Sequence, residues 1–333
     1  MTAQTPRIRH PERNETVRTH KSHALGAIAA FLYALAAPWA AAAPLSLDAE
    51  FDLGRGRASE PRFYEMRTTS IQYEQDGARK PYHELRLLLR CTPGAEAVAY
   101  TCVRMTAARR GDAQAIPALA GWSYAFRPGQ TGSGGTGEMF GIHQSKFQAL
   151  ADETGGALAP DLSYAVYNAF VDFHAICNVF AEPTEGGGIQ DLKRVGDRIV
   201  HAAASSEPTV HLQGVTESGS TFRNGEITLA LKGLSVVDGA SCAIVAYDSG
   251  ESSFAMAVEP APGMNVDTVG SSHYFGDIYV DLASMWVAKA ELSEFVVTDV
   301  TMDGQPLANS IVERSIEIRA VTKEALEELA RAE

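Results

Sequence analysis

The sequence predicts a β-rich α+β fold: an antiparallel meander of about 10–11 strands with helices inserted mid-chain. Three observations carry that expectation. Runs rich in β-branched and aromatic residues alternate with period two on both sides of the chain's middle. Most are joined by Gly, Pro or Asp-Gly turns, too short for the crossovers that a parallel sheet needs. Between them stands one segment, 161–180, whose apolar residues recur at helical spacing. The pattern fits either one curved sheet, a half-barrel, or two β modules bridged by that helix.

In chain order, the first region is 1–43. Residues 1–23 carry Arg7, Arg9, Arg13, Arg18 and Lys21 against Glu12 and Glu15, and residues 24–43 are an uncharged run, ALGAIAAFLYALAAPWAAAA. A basic stretch, an apolar core and small residues at Ala40 and Ala42 make a secretory signal peptide, cleaved after Ala42. The competing reading is a retained anchor, since twenty residues can span a bilayer. The expectation is export to a bacterial periplasm or to the medium.

The N-terminal β region, 44–130, offers strands at 45–51, 62–73, 82–90, 97–105 and 120–126, with Asp76-Gly77 as a hairpin signal. A Gly-rich stretch, RPGQTGSGGTGEMFG (127–141), follows; it lacks the Gly-Lys-Ser/Thr of a phosphate loop and reads as a linker. Region 131–205 adds three helical patterns. HQSKFQALADET (143–154) is short and polar. Asp161 opens the strong helix, with Pro160 before it and Pro183 after. Leu162, Val166, Ala169, Phe170, Phe173, Cys177 and Phe180 form its stripe, while Tyr164, Tyr167, Val171, His174 and Asn178 make a second side with little charge. A helix apolar nearly all round is buried on most sides. The third pattern is GIQDLKRVGDRIVHAAA (188–204), with Ile189, Leu192, Val195, Ile199 and Val200 as its buried side.

The C-terminal β region, 206–321, supplies six successive strands: 225–237, 240–247, 252–259, 272–282, 286–300 and 309–321. Tyr274, Ile278, Val280 and Leu282 share one face with Ala288, Ala290, Leu292, Val312, Ile316 and Ile318. Pairing Asp281 with Lys289 and Tyr279 with Glu291 would place an ion pair on the wetted face. Residues 322–333 form a short amphipathic helical tail. This element order is similar to that of the half-barrel carriers of lipoproteins and other amphiphiles of the bacterial periplasm, a likeness of element order alone.

Charge and cysteines bound the function. The chain's net charge is −13, and loss of residues 1–43 would bring it to −16. That excess argues against nucleic acid and anionic membrane surfaces as partners. An even count of cysteines, Cys91, Cys102, Cys177 and Cys242, in an exported chain favours two disulfides, with Cys91–Cys102 and Cys177–Cys242 preferred among the three connectivities. No compact Cys/His spacing points to a metal, and no motif to a cofactor.

Three candidate sites emerge. Tyr164, Tyr167, Val171 and His174 would line an apolar cavity for a hydrophobic or amphiphilic molecule. His273, Asp277 and Asp281, with Tyr279, share a strand face but are too far apart for one catalytic contact, and read as a solvated surface. No Gly-x-Ser-x-Gly elbow occurs, so a hydrolase would need His174, His201, His211 or His273 to meet a Ser or a carboxylate. The expectation is a binding protein for such a molecule or for an envelope partner. The alternatives are a secreted hydrolase and a structural envelope module with no small-molecule site.

Overall fold

The computed structural model describes residues 46–74, 76–127, 138–140, 146–147, 150–184, 186–207, 221–261 and 264–332. Residues 1–43, read from the sequence as a signal peptide, most of the Gly-rich stretch and His211 lie outside them. The strands are β1 (Arg62–Tyr73), β2 (Arg79–Pro93), β3 (Val98–Ala108), β4 (Gln114–Ala115), β5 (Ser123–Arg127), β6 (Glu138–Phe140), β7 (Arg198–Val200), β8 (Thr221–Arg223), β9 (Thr228–Val237), β10 (Ala240–Asp248), β11 (Ser252–Ala261), β12 (Met264–Asp281), β13 (Val287–Met302) and β14 (Gln305–Val321). The helices are α1 (Pro160–His174) and α2 (Lys323–Arg331).

All fourteen strands belong to one antiparallel sheet, in the order β6-β5-β3-β2-β1-β14-β13-β12-β10-β9-β7. The two β regions meet where β1 pairs with β14, from Phe63 opposite Val321 to Tyr73 opposite Ile311. β10 and β11 pair with successive stretches of β12, β11 also pairs with β8, and β4 folds onto β3.

The alternation in the strands sends Tyr64, Met66, Leu87, Leu89, Val245, Ile278, Ala290, Leu292, Ile316 and Ile318 to one face, where they are buried with the α1 stripe. α1 forms where Pro160 supplies a pre-set φ at the first turn and Asp161 faces the positive end of the helix dipole. After His174 the helix widens into one π turn, Ala175–Val179. Arg57 closes it by donating to the carbonyls of Cys177 and Ala181 and pairing with Glu182. α2 lies on the opposite face, where Thr322 caps it and Arg104 of β3 donates to the Ala330 carbonyl at 3.2 Å.

Several expectations are corrected. Residues 46–51 form a turn and a coil instead of a strand, tied to the body by the Phe51 amide bonding the Lys193 carbonyl at 2.8 Å. Residues 150–154 are not helical, because the Asp152 carboxylate accepts from the amides of Thr154 and Gly156 and turns the chain. The 188–204 helix is replaced by one 3₁₀ turn (Ile189–Asp191) and β7. Gly196 sits at φ 100, and the Asp197 carboxylate takes the amides of Lys193 and Arg194.

The β12–β13 register is displaced by two residues from the expected one: Tyr279 faces Lys289 and Asp277 faces Glu291. Asp281 is absorbed in the turn, accepting from the Ala283 amide and the Ser284 hydroxyl. The cross-hairpin ion pair is therefore absent, and Lys289 pairs with Glu291 on its own strand at 2.7 Å.

Neither expected disulfide forms; all four cysteines are free and buried. Tyr100 stands opposite Cys91, and Cys102 opposite Leu89. Cys177 lies in the core, in the π turn that ends α1, whereas Cys242 precedes the inward-facing Ala243 and therefore points to the other face. The sheet itself separates that second pair.

Candidate functional site

α1 lies on the sheet with an acidic residue near each end of one side, Asp161 and Asp172. Across β12, β13 and β14, Tyr274, Glu294 and Arg314 stand directly opposite one another in a single row, on the face toward α1. Arg314 pairs with both Asp172 and Glu294, and donates to the Tyr274 hydroxyl at 2.9 Å. Tyr274 in turn donates to Asp172 at 3.3 Å. One guanidinium thus serves two buried carboxylates, and burial pushes the Glu294 carboxyl up from its ordinary value against the pull of Arg314.

The same register continues through Ser70 of β1 to His83 of β2. The His83 Nε2 lies 3.2 Å from Asp161 Oδ2, which also accepts from Tyr82 at 2.8 Å and pairs with Arg109 at 2.7 Å. Burial lowers the His83 pKa despite that carboxylate. Sequence reasoning missed both clusters. The available signal was parity: Glu294 shares a face with Leu292, Arg314 with Ile316, and His83 with Leu85 and Leu87.

The four expected cavity residues do not converge. His174 turns into the core, among the rings of Tyr100, Tyr124 and Phe126 at 4.7–5.6 Å. The Asn178 amide nitrogen, which can only donate, lies 2.6 Å from Nδ1 and assigns it as the acceptor; Nε2 then donates to the Tyr124 hydroxyl at 2.9 Å. Asn178 Oδ1 accepts from Tyr100 and Arg57. Burial lowers the His174 pKa to about 3, so the imidazole is neutral. Tyr164 is exposed, while Val171 and Tyr167 are half-buried, Tyr167 edge-on to Phe147 at 5.3 Å. Neither of the two clefts described, about 280 and 120 Å³, borders any of the four.

The other histidines stand apart. His201 is buried against Phe180 and accepts from the Ala203 amide. His273 meets Asp248 of the neighbouring strand at 2.8 Å, while Asp277 is held by Lys232 at 2.8 Å. Among the described residues no hydrogen bond joins a serine hydroxyl to any of these imidazoles, and no group of three or more His, Cys, Asp or Glu is placed to hold a metal. No described helix is long and apolar enough to cross a membrane.

The chain matches no protein-family description and no curated protein. Among solved structures it is similar to the in-vitro folded outer membrane protein OmpT of Vibrio cholerae, in trimer form. That match has 11% identity over 79% of this chain and 99% of that one, with a TM-score of 0.24. It is also similar to OpdK of Pseudomonas aeruginosa with vanillate, at 7% identity over 80% and 100%, with a TM-score of 0.16. Scores that low assign neither a fold nor a function to this chain.

Proposed function

We propose that this chain is an exported binding protein, in a bacterial periplasm or secreted, that takes a hydrophobic or amphiphilic molecule on the sheet face that carries α1. The N-terminal basic stretch and uncharged run support export. One observation carries the binding reading. Beyond the Arg314–Glu294 row the same face continues with apolar residues that stay half-exposed: Val312 opposite Val296, then Phe254 opposite Gly270. The open side of α1 beside that row presents Tyr164 and Val171 and no charge. An acyl chain would lie along these residues.

A second geometric fact supports a curved, half-barrel sheet around the ligand. His174 bonds Tyr124 of β5, and Phe180, six residues later, packs on Tyr247 of β10 at 4.4 Å between ring centres. β5 and β10 stand seven places apart in the sheet, about 34 Å if it were flat. Six helical residues advance only about 9 Å. A sheet bent round α1 reconciles the two.

The test is titration of delipidated protein with cis-parinaric acid, beside native mass spectrometry of protein taken from its own host. The wild type is expected to bind the probe and to carry a copurified lipid. Val296→Asp with Val312→Asp should weaken probe binding at least about tenfold, since charge on an apolar floor is costly to bury. Absence of both probe and lipid binding in the wild type overturns the reading, as does unchanged affinity in the variant.

A further inference from the structure

We propose that the opposite face of the sheet, over the distal parts of β12, β13 and β14, docks a basic amphipathic segment of a partner protein. At this level the usual polarity of a half-wetted sheet is inverted. Glu294 and Arg314 point inward and are buried, while Phe295, Val297 and Ile311 point outward at 40%, 47% and 45% exposure. Phe275 joins them from β12, its ring stacked on Phe295 with centroids 6.1 Å apart. Val297 stands opposite Ile311, so the four form one contiguous strip. Scattered exposed apolar side chains are ordinary; a contiguous aromatic and β-branched strip marks a contact surface.

Charge selects the occupant. On its proximal side the strip is bounded by a row of three carboxylates on neighbouring strands, Asp277, Glu291 and Glu317. On its distal side stand Asp267 and Asp299, both exposed. Lys232 already pairs with Asp277 and Lys289 with Glu291, so the proximal row is largely neutralised; the distal Asp267 and Asp299, in a chain of net charge −13, are what favour a cationic partner. The strip covers roughly 300 Å² from strand and residue spacings, well short of the ~800 Å² per partner of a stable dimer. A second copy would also bring the same carboxylates against these. A single amphipathic segment, with apolar residues flanked by Lys or Arg, matches both the size and the sign.

The test uses the full mature protein and a labelled synthetic Lys–Leu amphipathic peptide, with its Glu–Leu counterpart as control, followed by anisotropy at physiological salt. The Lys–Leu peptide is expected to bind and to lose at least about tenfold in affinity on Phe295→Ser with Val297→Ser, a change that leaves the protein's charge intact. Asp267→Asn with Asp299→Asn, at exposed positions, should weaken binding several-fold and flatten its salt dependence. The proposal is overturned if the Lys–Leu peptide fails to bind, if the Phe295/Val297 variant binds it as tightly as wild type, or if the Glu–Leu peptide binds equally. Concentration-dependent dimers abolished by the same variant would assign the face to a second copy and overturn it too.

Discussion

Asp172 of α1 and Arg314 of β14 form an ion pair across the helix–sheet interface, both nearly buried, with Glu294 on the far side of the guanidinium. Removing the single cation leaves two carboxylates facing each other in the core. Arg314→Met is expected to destabilise the protein by about 3–5 kcal/mol. Glu294→Gln removes the surplus charge and should be far milder. Urea denaturation of the two variants side by side checks the order; equal losses would refute this account of the cluster.

The neutral core histidines make stability depend on pH. Burial lowers His174 to about 3 and His201 to about 4, whereas both take up protons near 6.5 in the unfolded chain. Their contribution is therefore complete above pH 6.5 and is lost as pH falls from there toward the folded values. Each histidine gives a slope of up to about 1.4 kcal/mol per pH unit. Glu294 acts in the opposite sense: its raised carboxyl favours the folded state below about 4.5 and loses that contribution as pH rises through its folded value. Denaturation midpoints between pH 7 and pH 5 should fall, and His174→Gln should flatten the fall.

The cysteines should behave as four thiols. Burial pushes Cys102 and Cys177 up to about 12 and Cys242 to about 11, so thiolate is scarce at neutral pH. Ellman's reagent should find four thiols in non-reducing denaturant and almost none in the folded protein. A reducing agent should leave the melting temperature unchanged.

Arg57 holds the end of α1 through the Cys177 and Ala181 carbonyls, the Asn178 amide, Glu182 and the face of Trp286 at 4.4 Å. Arg57→Met should cost about 2–4 kcal/mol, because Glu182 is left buried without its cation. Arg57→Met with Glu182→Gln should recover part of that loss in the same unfolding assay. No recovery would show that packing on Trp286 dominates.

Much of the sheet was legible because its strands alternate and its turns are local. β12 and β13 showed their buried faces through Ile278, Val280, Ala290 and Leu292, and α1 showed itself by stripe and flanking prolines. The 188–204 segment misled because Ile189, Leu192, Val195 and Ile199 keep helical spacing across Gly196, where the backbone turns. The Asp281–Lys289 pairing failed because the turn took more residues than its composition implied. Of the candidate site, the uncharged side of α1 was readable, but the inward turn of His174 depended on Tyr124, a residue fifty positions away. The β1–β14 pairing had no local turn to announce it.

That last pairing also constrains how the chain folds. β1 and β14 stand side by side near the middle of the sheet, yet β1 lies near the start of the described chain and β14 near the end. Until β14 arrives, β1 keeps an open edge and α1 lacks the arginine that anchors Asp172. Closure of so long a loop is slow, and the N-terminal half alone would expose an unpaired strand. The completed sheet thus depends on its last strand to cover the edge of its first.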